Sequence, residues 1–489
     1  MSIDNDNLIL DLIEITTPRN LRVYPRLLPV TATGPVAQLF TTLKGSVTYS
    51  LLSGSSLIAI SSSGVVSLSS ALAAGVSATF IARAQDTVGT AHERALSVVG
   101  YGGVYTDPGG GVTAPVGFFK NTASNIAVKA MLASKTGQQI IVGDSINVGE
   151  GSGASGPGAF GLGNAANFRS AKAMADIYVA AGIPAFDKNY ITGDFGVRAA
   201  GGNTILTYDT RVTSLGNGDM NVRDNGAAGA AYLHLGSTAA TVTDTGIDGF
   251  VIDVAEYDSA PVITFKIDGA APAFMSINGV TQPGGTMSYA TNASATGPSR
   301  IIVRTSSVGS HTLQMTSSDY KHGIAVVYGI NSTTSQINIL TFAACGQRTT
   351  DQTGTTTIAL PAMLKKETPG LVVLTSATND MIQGAAKATW LAAVASLVAT
   401  AQAAGASVLL EFPYAFSNVA DATVSDWNAS LKAYGVANNL SVLSHYDFYG
   451  PYSGMAPSLF WNAASGDTHP TAAFSAALAQ RRVDAIRSM

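Results

Sequence analysis

Four short stretches of this sequence hold the side chains that acyl-transfer chemistry needs. Ser145 could act as a nucleophile, but a serine hydroxyl attacks poorly until a base removes its proton. His469 is the candidate base, and Asp467 is the candidate carboxylate that orients it. The backbone N–H groups of Ser145 and Gly346 and the side-chain amide of Asn379 could stabilise the negative oxygen of a tetrahedral intermediate. These residues predict a serine hydrolase site that uses no metal and no cofactor.

The elements around these residues predict how they come together. Ile140–Val142 is an apolar run that stops at Gly143, which indicates a buried strand followed by a tight turn into Ser145. The other stretches also adjoin predicted elements: Gly346 follows a strand at 337–342, Asn379 follows a strand at 371–375, and His469 precedes a helix at 470–487. Strands that alternate with helices predict a parallel sheet covered on both faces, with the active site at the carboxyl ends of the strands.

Together the stretches resemble the four conserved blocks of the SGNH/GDSL hydrolase superfamily. They are the first block at 143–146, Gly346 for the second, the third at 377–380, and the fourth at 467–470. Ala377 stands where the family usually has glycine. The resemblance covers roughly 120–186 and 336–489. It implies a flavodoxin-like three-layer α/β/α fold and an acyl-enzyme on Ser145.

The acid beside the histidine departs from that family pattern. The family usually places it three residues before the histidine, and this sequence has Gly466 there. Asp467 lies only two residues before His469. Either a one-residue deletion leaves Asp467 as the acid, or a Ser–His dyad works with help from a backbone carbonyl. We favour Asp467.

Several neighbouring residues have simpler interpretations. Asp144 is expected to order the nucleophile loop without transferring a proton, and Asp380 is expected to be structural. Arg348 is a candidate substrate contact, and Cys345 is expected to be a small buried residue. His445 follows a short predicted strand, which favours a core or rim position for it.

The rest of the chain predicts β-structure on both sides of the nucleophile. Short alternating strands and Gly/Ser turns at 29–100 indicate a β-sandwich that loosely resembles cadherin-like or immunoglobulin-like modules. The alternating runs at 187–335 predict an inserted β-sandwich. Two roles stay open for it: it binds sugar, or it is a spacer. The predicted organisation is an N-terminal arm at 1–28, the first module at 29–100, a Gly/Pro-rich linker at 101–119, and a catalytic domain split into 120–186 and 336–489 around the insert at 187–335.

Composition excludes some classes of partner. The net charge is −4 and no long basic run occurs, which argues against nucleic-acid binding. The single cysteine excludes an internal disulfide framework. No apolar run approaches the roughly 18 residues of a membrane span. The low fraction of charged residues, 12%, and the many Gly, Ala, Ser and Thr residues favour an extracellular or virion-associated protein. Because the acidic N-terminus does not resemble a cleavable signal peptide, we expect release by another route.

The function that these features favour is removal of O-acetyl groups from a polysaccharide or surface glycan by a serine esterase. The N-terminal arm is a candidate for attachment to a virion or for homo-oligomer formation. Two alternatives stay open. One is a glycan-binding or receptor-binding protein with a degenerate SGNH scaffold, and the other is a lipid esterase or thioesterase.

Overall fold

A computed structural model describes most of this chain. The described residues are 21–24, 27–29, 33–41, 43, 46–73, 76–101, 115, 117–121, 125–148, 170–187, 212–214, 216, 219–221, 232–255, 262–288, 299–318, 323–343, 348–353, 364, 366–452 and 469–489. Of the helices in these ranges, none is both long and apolar enough to cross a membrane.

The first eight strands form two four-stranded sheets around one core. In the strand at 77–86, Ala78, Phe80, Ala82 and Ala84 are buried, because every second side chain of a strand points to the same face. The strands are β1 (Leu21–Tyr24), β2 (Leu27–Pro29), β3 (Gly34–Thr41), β4 (Val47–Gly54), β5 (Ile58–Ile60), β6 (Val65–Leu68), β7 (Ser77–Asp86) and β8 (Ala91–Tyr101). Their orders are β1-β3-β6-β5 and β2-β8-β7-β4.

The β-structure begins earlier than the sequence indicates. β1 pairs with β3 and β2 pairs with β8, although both short strands fall at the end of the predicted arm. Strands of four and three residues are too short to show a clear alternation of apolar and polar side chains. These strands at the end of the predicted arm are held by long-range pairing with β3 and β8.

The next elements open an α/β layer. They are β9 (Phe118–Phe119), α1 (Ile126–Ser134), β10 (Gly137–Gly143), α2 (Ser145–Val148), α3 (Ser170–Ala180) and β11 (Ala185–Asp187). The predicted linker thus ends in a strand, because β9 pairs antiparallel with a strand near the C-terminus. A two-residue strand in a Gly/Pro-rich context carries no periodic pattern, so this pairing could not be predicted.

The following strands belong to the insert. They are β12 (Val212–Ser214), β13 (Asp219–Asn221), β14 (Tyr232–His234), β15 (Ala240–Ala255), β16 (Val262–Ile267), β17 (Phe274–Ile277), β18 (Val280–Thr281), β19 (Thr286–Ser288), β20 (Ser299–Ser317) and β21 (Gly323–Ile330). Hydrogen bonds join them in one ten-stranded sheet, where the sequence predicted two packed sheets. The long strands β15 and β20 cross a register shift between Asp244 and Gly249, and such irregularities bend a sheet.

The α/β alternation then resumes to the C-terminus. Its elements are β22 (Ile337–Ala343), a 3-10 helix (Thr349–Thr353), β23 (Leu371–Thr375), α4 (Thr378–Ile382), α5 (Lys387–Ala403), β24 (Ser407–Phe412), α6 (Asp421–Ala437), β25 (Ser441–Ser444), α7 (Tyr446–Tyr449) and α8 (Ala472–Ser488). The seven-stranded sheet has the order β11-β22-β10-β23-β24-β25-β9, and its strands are parallel except for the edge strand β9.

The parallel sheet is buried on both faces. Ile140 and Val142 pack in one hydrophobic cluster with Trp390 of α5, whereas Ile141 packs in a second cluster with Val128 of α1. Alternate residues of one strand therefore serve opposite layers, and the strand becomes an unbroken apolar run. This arrangement confirms the predicted α/β fold with helices on both faces.

The insert packs directly on the α/β layer. Tyr328 of β21 belongs to the same hydrophobic cluster as Trp390. Arg300 of β20 forms a two-bond ion pair with Asp253 at 2.9 and 2.7 Å and also bonds Glu367 of the α/β layer. Asp253 and Glu367 are buried, so this ionic contact replaces the water that both carboxylates lose. The insert is thereby fixed against the α/β layer rather than tethered to it.

Candidate active site

Ser145 and Asn379 flank the point at which the strand order reverses. Without its two edge strands, the sheet runs β22-β10-β23-β24-β25, which is the flavodoxin-like order 2-1-3-4-5. Sheets of this kind bind ligands beside the carboxyl ends of strands 1 and 3, which here are β10 and β23. Ser145 begins α2 after β10, and Asn379 lies in α4 after β23.

The turn into Ser145 is held by its own backbone and by the 3-10 helix. Oδ1 of Asp144 accepts the N–H of Ile146 at 3.0 Å, and the backbone oxygen of Asp144 accepts the N–H of Asn147 at 3.1 Å. Nε2 of Gln352 donates to the backbone oxygen of Gly143 at 2.7 Å. The role predicted for Asp144, ordering the nucleophile loop, agrees with these bonds.

The stretch that carries Asn379 is fixed by a buried carboxylate. Oδ2 of Asp380 accepts the N–H and the hydroxyl of Thr349, both at 2.8 Å. Asp380 therefore joins α4 to the 3-10 helix, in line with its expected structural role. Asn379 itself is only partly buried.

Ala377 precedes α4 in a conformation that suits glycine. Its φ is 90° and its ψ is −31°, outside the regions that a residue with a Cβ atom adopts without strain. The family usually has glycine at this position. The geometry gives the physical reason for that preference.

His469 lies directly before the C-terminal helix and close to the nucleophile turn. Thr471 caps α8 by accepting the N–H of Phe474 at 3.2 Å, which fixes the helix start at Ala472, three residues after the histidine. The charge of His469 acts on the buried carboxyl of Asp144, the neighbour of Ser145. The fold therefore brings the predicted base and the predicted nucleophile segment to the same place.

The environment of Asp144 shifts its ionisation. Burial raises the pKa of Asp144 to about 6, and the nearby charge of Asp380 adds to the rise. The Ile146 N–H, the charge of His469 and the Thr378 hydroxyl act in the opposite direction and lower this pKa. The effect of burial on the pKa is the largest, so the carboxyl group of Asp144 gains a proton in mildly acidic solution.

Two predicted site residues fall outside the described residues. Gly346 belongs to 344–347 and Asp467 to 453–468, as do Cys345 and Gly466 respectively. Their predicted roles remain predictions. Arg348 is described, and its guanidinium bonds Asp351 at 2.9 Å in the 3-10 helix, which occupies part of its donor capacity.

Sequence reasoning missed residues that hold the site in place. Gln352 and Asn147 contact the nucleophile turn, and neither belongs to a recognised block. Glu411 gave a usable signal, because a carboxylate inside the fully buried strand Ser407–Phe412 requires a buried cation. Arg482 of α8 is that cation, with Nε 2.6 Å from Oε2 of Glu411.

No metal cluster lies within the described ranges. A group of three or more His, Cys, Asp or Glu side chains able to hold a metal ion is absent from these parts of the chain.

Part of this chain matches the model of a known protein family. Residues 308–477 match the model of the GDSL-like lipase/acylhydrolase family. The match begins within β20 and contains Asn379 and His469, whereas β10 and Ser145 precede it. This part of the chain is thus similar to GDSL-like acylhydrolases. A comparison with curated proteins finds no match.

A comparison with solved structures finds distant similarities, three of which follow. A peptidoglycan O-acetylesterase shares 16% identity, with a TM-score of 0.47, over 74% of this chain and 96% of that one. A family two carbohydrate esterase from Clostridium thermocellum, in complex with cellohexaose, shares 11% identity, with a TM-score of 0.25, over 54% of this chain and 97% of that one. TesA shares 21% identity, with a TM-score of 0.26, over 30% of this chain and 77% of that one. Likenesses this distant carry no weight for the substrate.

Proposed function

We propose that this protein is a serine esterase that removes O-acetyl groups from a polysaccharide through an acyl-enzyme on Ser145. The observation that supports this is the position of Ser145 and Asn379 directly after β10 and β23 at the switch point of the sheet, with the charge of His469 acting on Asp144 beside Ser145. The family match over residues 308–477 supports acylhydrolase chemistry independently of that geometry.

The reaction divides into two acyl transfers. Oγ of Ser145 attacks the acetyl carbonyl carbon as His469 takes the hydroxyl proton, and the ester C–O bond then breaks as His469 returns that proton to the sugar oxygen. Water, deprotonated by His469, next attacks the acetyl-enzyme, which releases acetate and restores Ser145. Backbone N–H groups of Ser145 and Gly346 and the amide of Asn379 stabilise the oxyanion in both steps. Asp467 orients His469.

The fixed insert supports a polymeric substrate. Tyr328 and the Arg300 ion pairs hold it against the α/β layer, so a long substrate could lie across both parts without a change in their spacing. Phe274 is partly exposed on the insert, with the guanidinium of Arg304 5.5 Å from its ring centre. An exposed aromatic side chain beside guanidinium donors is a suitable contact for a sugar ring and its hydroxyl groups.

We also propose that the enzyme acts on a surface glycan outside a cell or on a virion. The low fraction of charged residues, 12%, and the two β-rich regions beside the catalytic layer support such a setting. Attachment through the N-terminal arm, or self-association there, belongs to the same proposal.

The test is acetate release from short acetyl esters and from O-acetylated bacterial polysaccharides, with wild type against Ser145→Ala. We expect the variant to lose about 10⁶-fold in kcat. Equal inactivity of both proteins with retained glycan binding would favour a binding protein on a degenerate scaffold. A preference for long acyl chains over acetyl in a chain-length series would favour a lipid esterase or thioesterase.

A separate variant tests whether Asp467 is the carboxylate that orients His469. Asp467→Asn should lower kcat by about 10⁴-fold if the carboxylate holds His469 in the required tautomer. Near-wild-type rates would instead indicate a Ser–His dyad.

A further inference from the structure

A buried arginine connects the C-terminal helix to the nucleophile turn. Arg482 of α8 is 1% exposed, and its Nη2 donates to Oδ1 of Asn147 at 3.1 Å. Asn147 is fully buried and lies two residues after Ser145 in α2. The same helix, α8, begins three residues after His469. The contact therefore links the helix that follows the base to the turn that carries the nucleophile.

The orientation of this arginine is set by the sheet. Its Nε and Nη2 donate to the two carboxylate oxygens of Glu411, each at 2.6 Å. Such a two-bond pair fixes the plane of the guanidinium. Glu411 is buried in β24 and also accepts from Nε2 of His445 at 2.9 Å. Arg482 is thus a rigid donor whose position depends on the sheet and not on the turn.

The nucleophile turn depends on such external contacts. The helix α2 has only four residues, too few to be stable from its own backbone bonds. The Gln352 bond to Gly143 ties the turn to the 3-10 helix, and the Arg482 bond to Asn147 ties it to α8. Of these two side-chain contacts, only the second joins the turn to the element next to His469.

We propose that Arg482, held by Glu411, is a positioning residue that sets the distance between Ser145 and His469 through Asn147. A displacement of about 1 Å in a catalytic pair can lower the rate by about 10²-fold. The inference rests on the proposed esterase function for its kinetic consequence, but the structural contact can be tested without activity.

Asn147→Ala is the main test variant, because it removes the acceptor and adds no atoms. Arg482→Lys is a second variant, which keeps the charge but loses the two-bond fork. Asn147→Asp is the conservative variant, because it keeps an oxygen that can accept from Arg482. The matched control is Arg481→Lys: Arg481 is the adjacent buried arginine of α8, it donates to Nδ1 of His445 at 3.3 Å, and its guanidinium lies 3.9 Å from the Phe448 ring centre.

The first readout is amide hydrogen exchange of a peptide that covers 143–148. We expect Asn147→Ala and Arg482→Lys to accelerate exchange there by about tenfold or more, since local opening follows the loss of a local contact. Arg481→Lys and Asn147→Asp should leave exchange near the wild-type rate. Unchanged exchange in Asn147→Ala would overturn the inference, whether or not the protein proves to be an esterase.

The second readout is the division between kcat and KM on an acetyl ester. We expect Asn147→Ala to lower kcat by about 30- to 100-fold with KM within about twofold, and Asn147→Asp to recover most of that loss. The pH profile of kcat should keep its midpoint in Asn147→Ala, because the change adds and removes no charge. An equal loss of kcat in Arg481→Lys would indicate general destabilisation and would overturn the positioning role.

Discussion

A Cβ atom added to Gly143 would lie 2.0 Å from Nδ2 of Asn147. Contacts that close do not occur, so the glycine that opens the nucleophile block makes room for a side chain four residues later. Gly143 is not among the residues with positive φ, and its need for glycine therefore comes from packing rather than from backbone conformation. The amide of Asn147 cannot easily move away, because Arg482 bonds its oxygen.

Gly143→Ala should therefore displace Asn147 and with it Ser145. We expect kcat to fall by about tenfold or more and the free energy of unfolding to fall by about 1–3 kcal/mol, as for other overpacked sites. Acetate-release kinetics and urea denaturation measure the two effects.

The double variant Gly143→Ala/Asn147→Ala distinguishes the clash from other effects of the new methyl group. Removing the amide gives the methyl group space, so the two losses of stability should be less than additive by about 1 kcal/mol or more. Strict additivity would contradict the steric account.

Asn379 is predicted to supply the side-chain donor of the oxyanion hole. Asn379→Ala should lower kcat by roughly 10²–10³-fold and change KM little, because the donor acts mainly on the charge that develops in the transition state. Asn379→Asp, which keeps the size but removes the N–H donors, should lose at least as much. Rates within a few-fold of wild type for both variants would exclude Asn379 from the oxyanion hole.

Ala377 offers a way to stabilise the protein beside its site. Ala377→Gly relieves a φ of 90°, and we expect the free energy of unfolding to rise by about 1 kcal/mol, since the relief of strain exceeds the added entropy of the unfolded chain. The control is Ala404→Gly, at a φ of −81°, which should lower stability by about 0.4–1 kcal/mol. Equal effects of the two substitutions in urea denaturation would show that Ala377 carries no strain.

The sequence predicted the parts of this fold that depend on local patterns. The apolar run Ile140–Val142 indicated the central strand, and all three of its side chains are buried. An unbroken or periodic apolar run indicates which side chains of an element are buried, so such an element can be predicted from the local sequence alone.

Contacts between distant residues could not be predicted in the same way. Asn147 and Arg482 are 335 residues apart, and nothing in the sequence around either residue indicates that the two are in contact. Edge strands such as β9 carry too few residues to show a period. The roles of Ser145 and His469 were inferred from the chemistry of their side chains and from the resemblance to a known family, whereas the structure adds the strand order and the buried ion pair of Arg482 with Glu411.

The buried histidine near the site predicts how stability depends on pH. Nδ1 of His445 accepts from Nε of Arg481 at 3.3 Å, so the ring is neutral, with its proton on Nε2 toward Glu411. Burial lowers the pKa of His445 to about 4, although the Glu411 bond opposes this shift. The folded state therefore binds fewer protons than the unfolded state, in which histidine has a pKa near 6.5.

This difference stabilises the fold above pH 6.5 and is lost as the pH falls toward about 4. Over that interval His445 should remove up to roughly 3 kcal/mol from the free energy of unfolding. The raised pKa of Asp144, about 6, acts with the opposite sign, because a group that binds its proton more tightly in the folded state adds stability on acidification. The wild-type curve thus contains both effects.

Two variants separate the effects of His445 and Asp144 on the pH dependence of stability. His445→Gln keeps a donor for Glu411 but does not titrate, so its stability should fall less than that of wild type between pH 6.5 and 4. Asp144→Asn removes the opposing group, so its stability should fall more steeply than that of wild type between pH 6 and 4. Urea denaturation of the three proteins at half-unit pH steps measures the slopes. Parallel curves for wild type and His445→Gln would mean that His445 does not stay neutral in the folded protein, and the hydrogen bond from Arg481 to its Nδ1 could then not exist in solution.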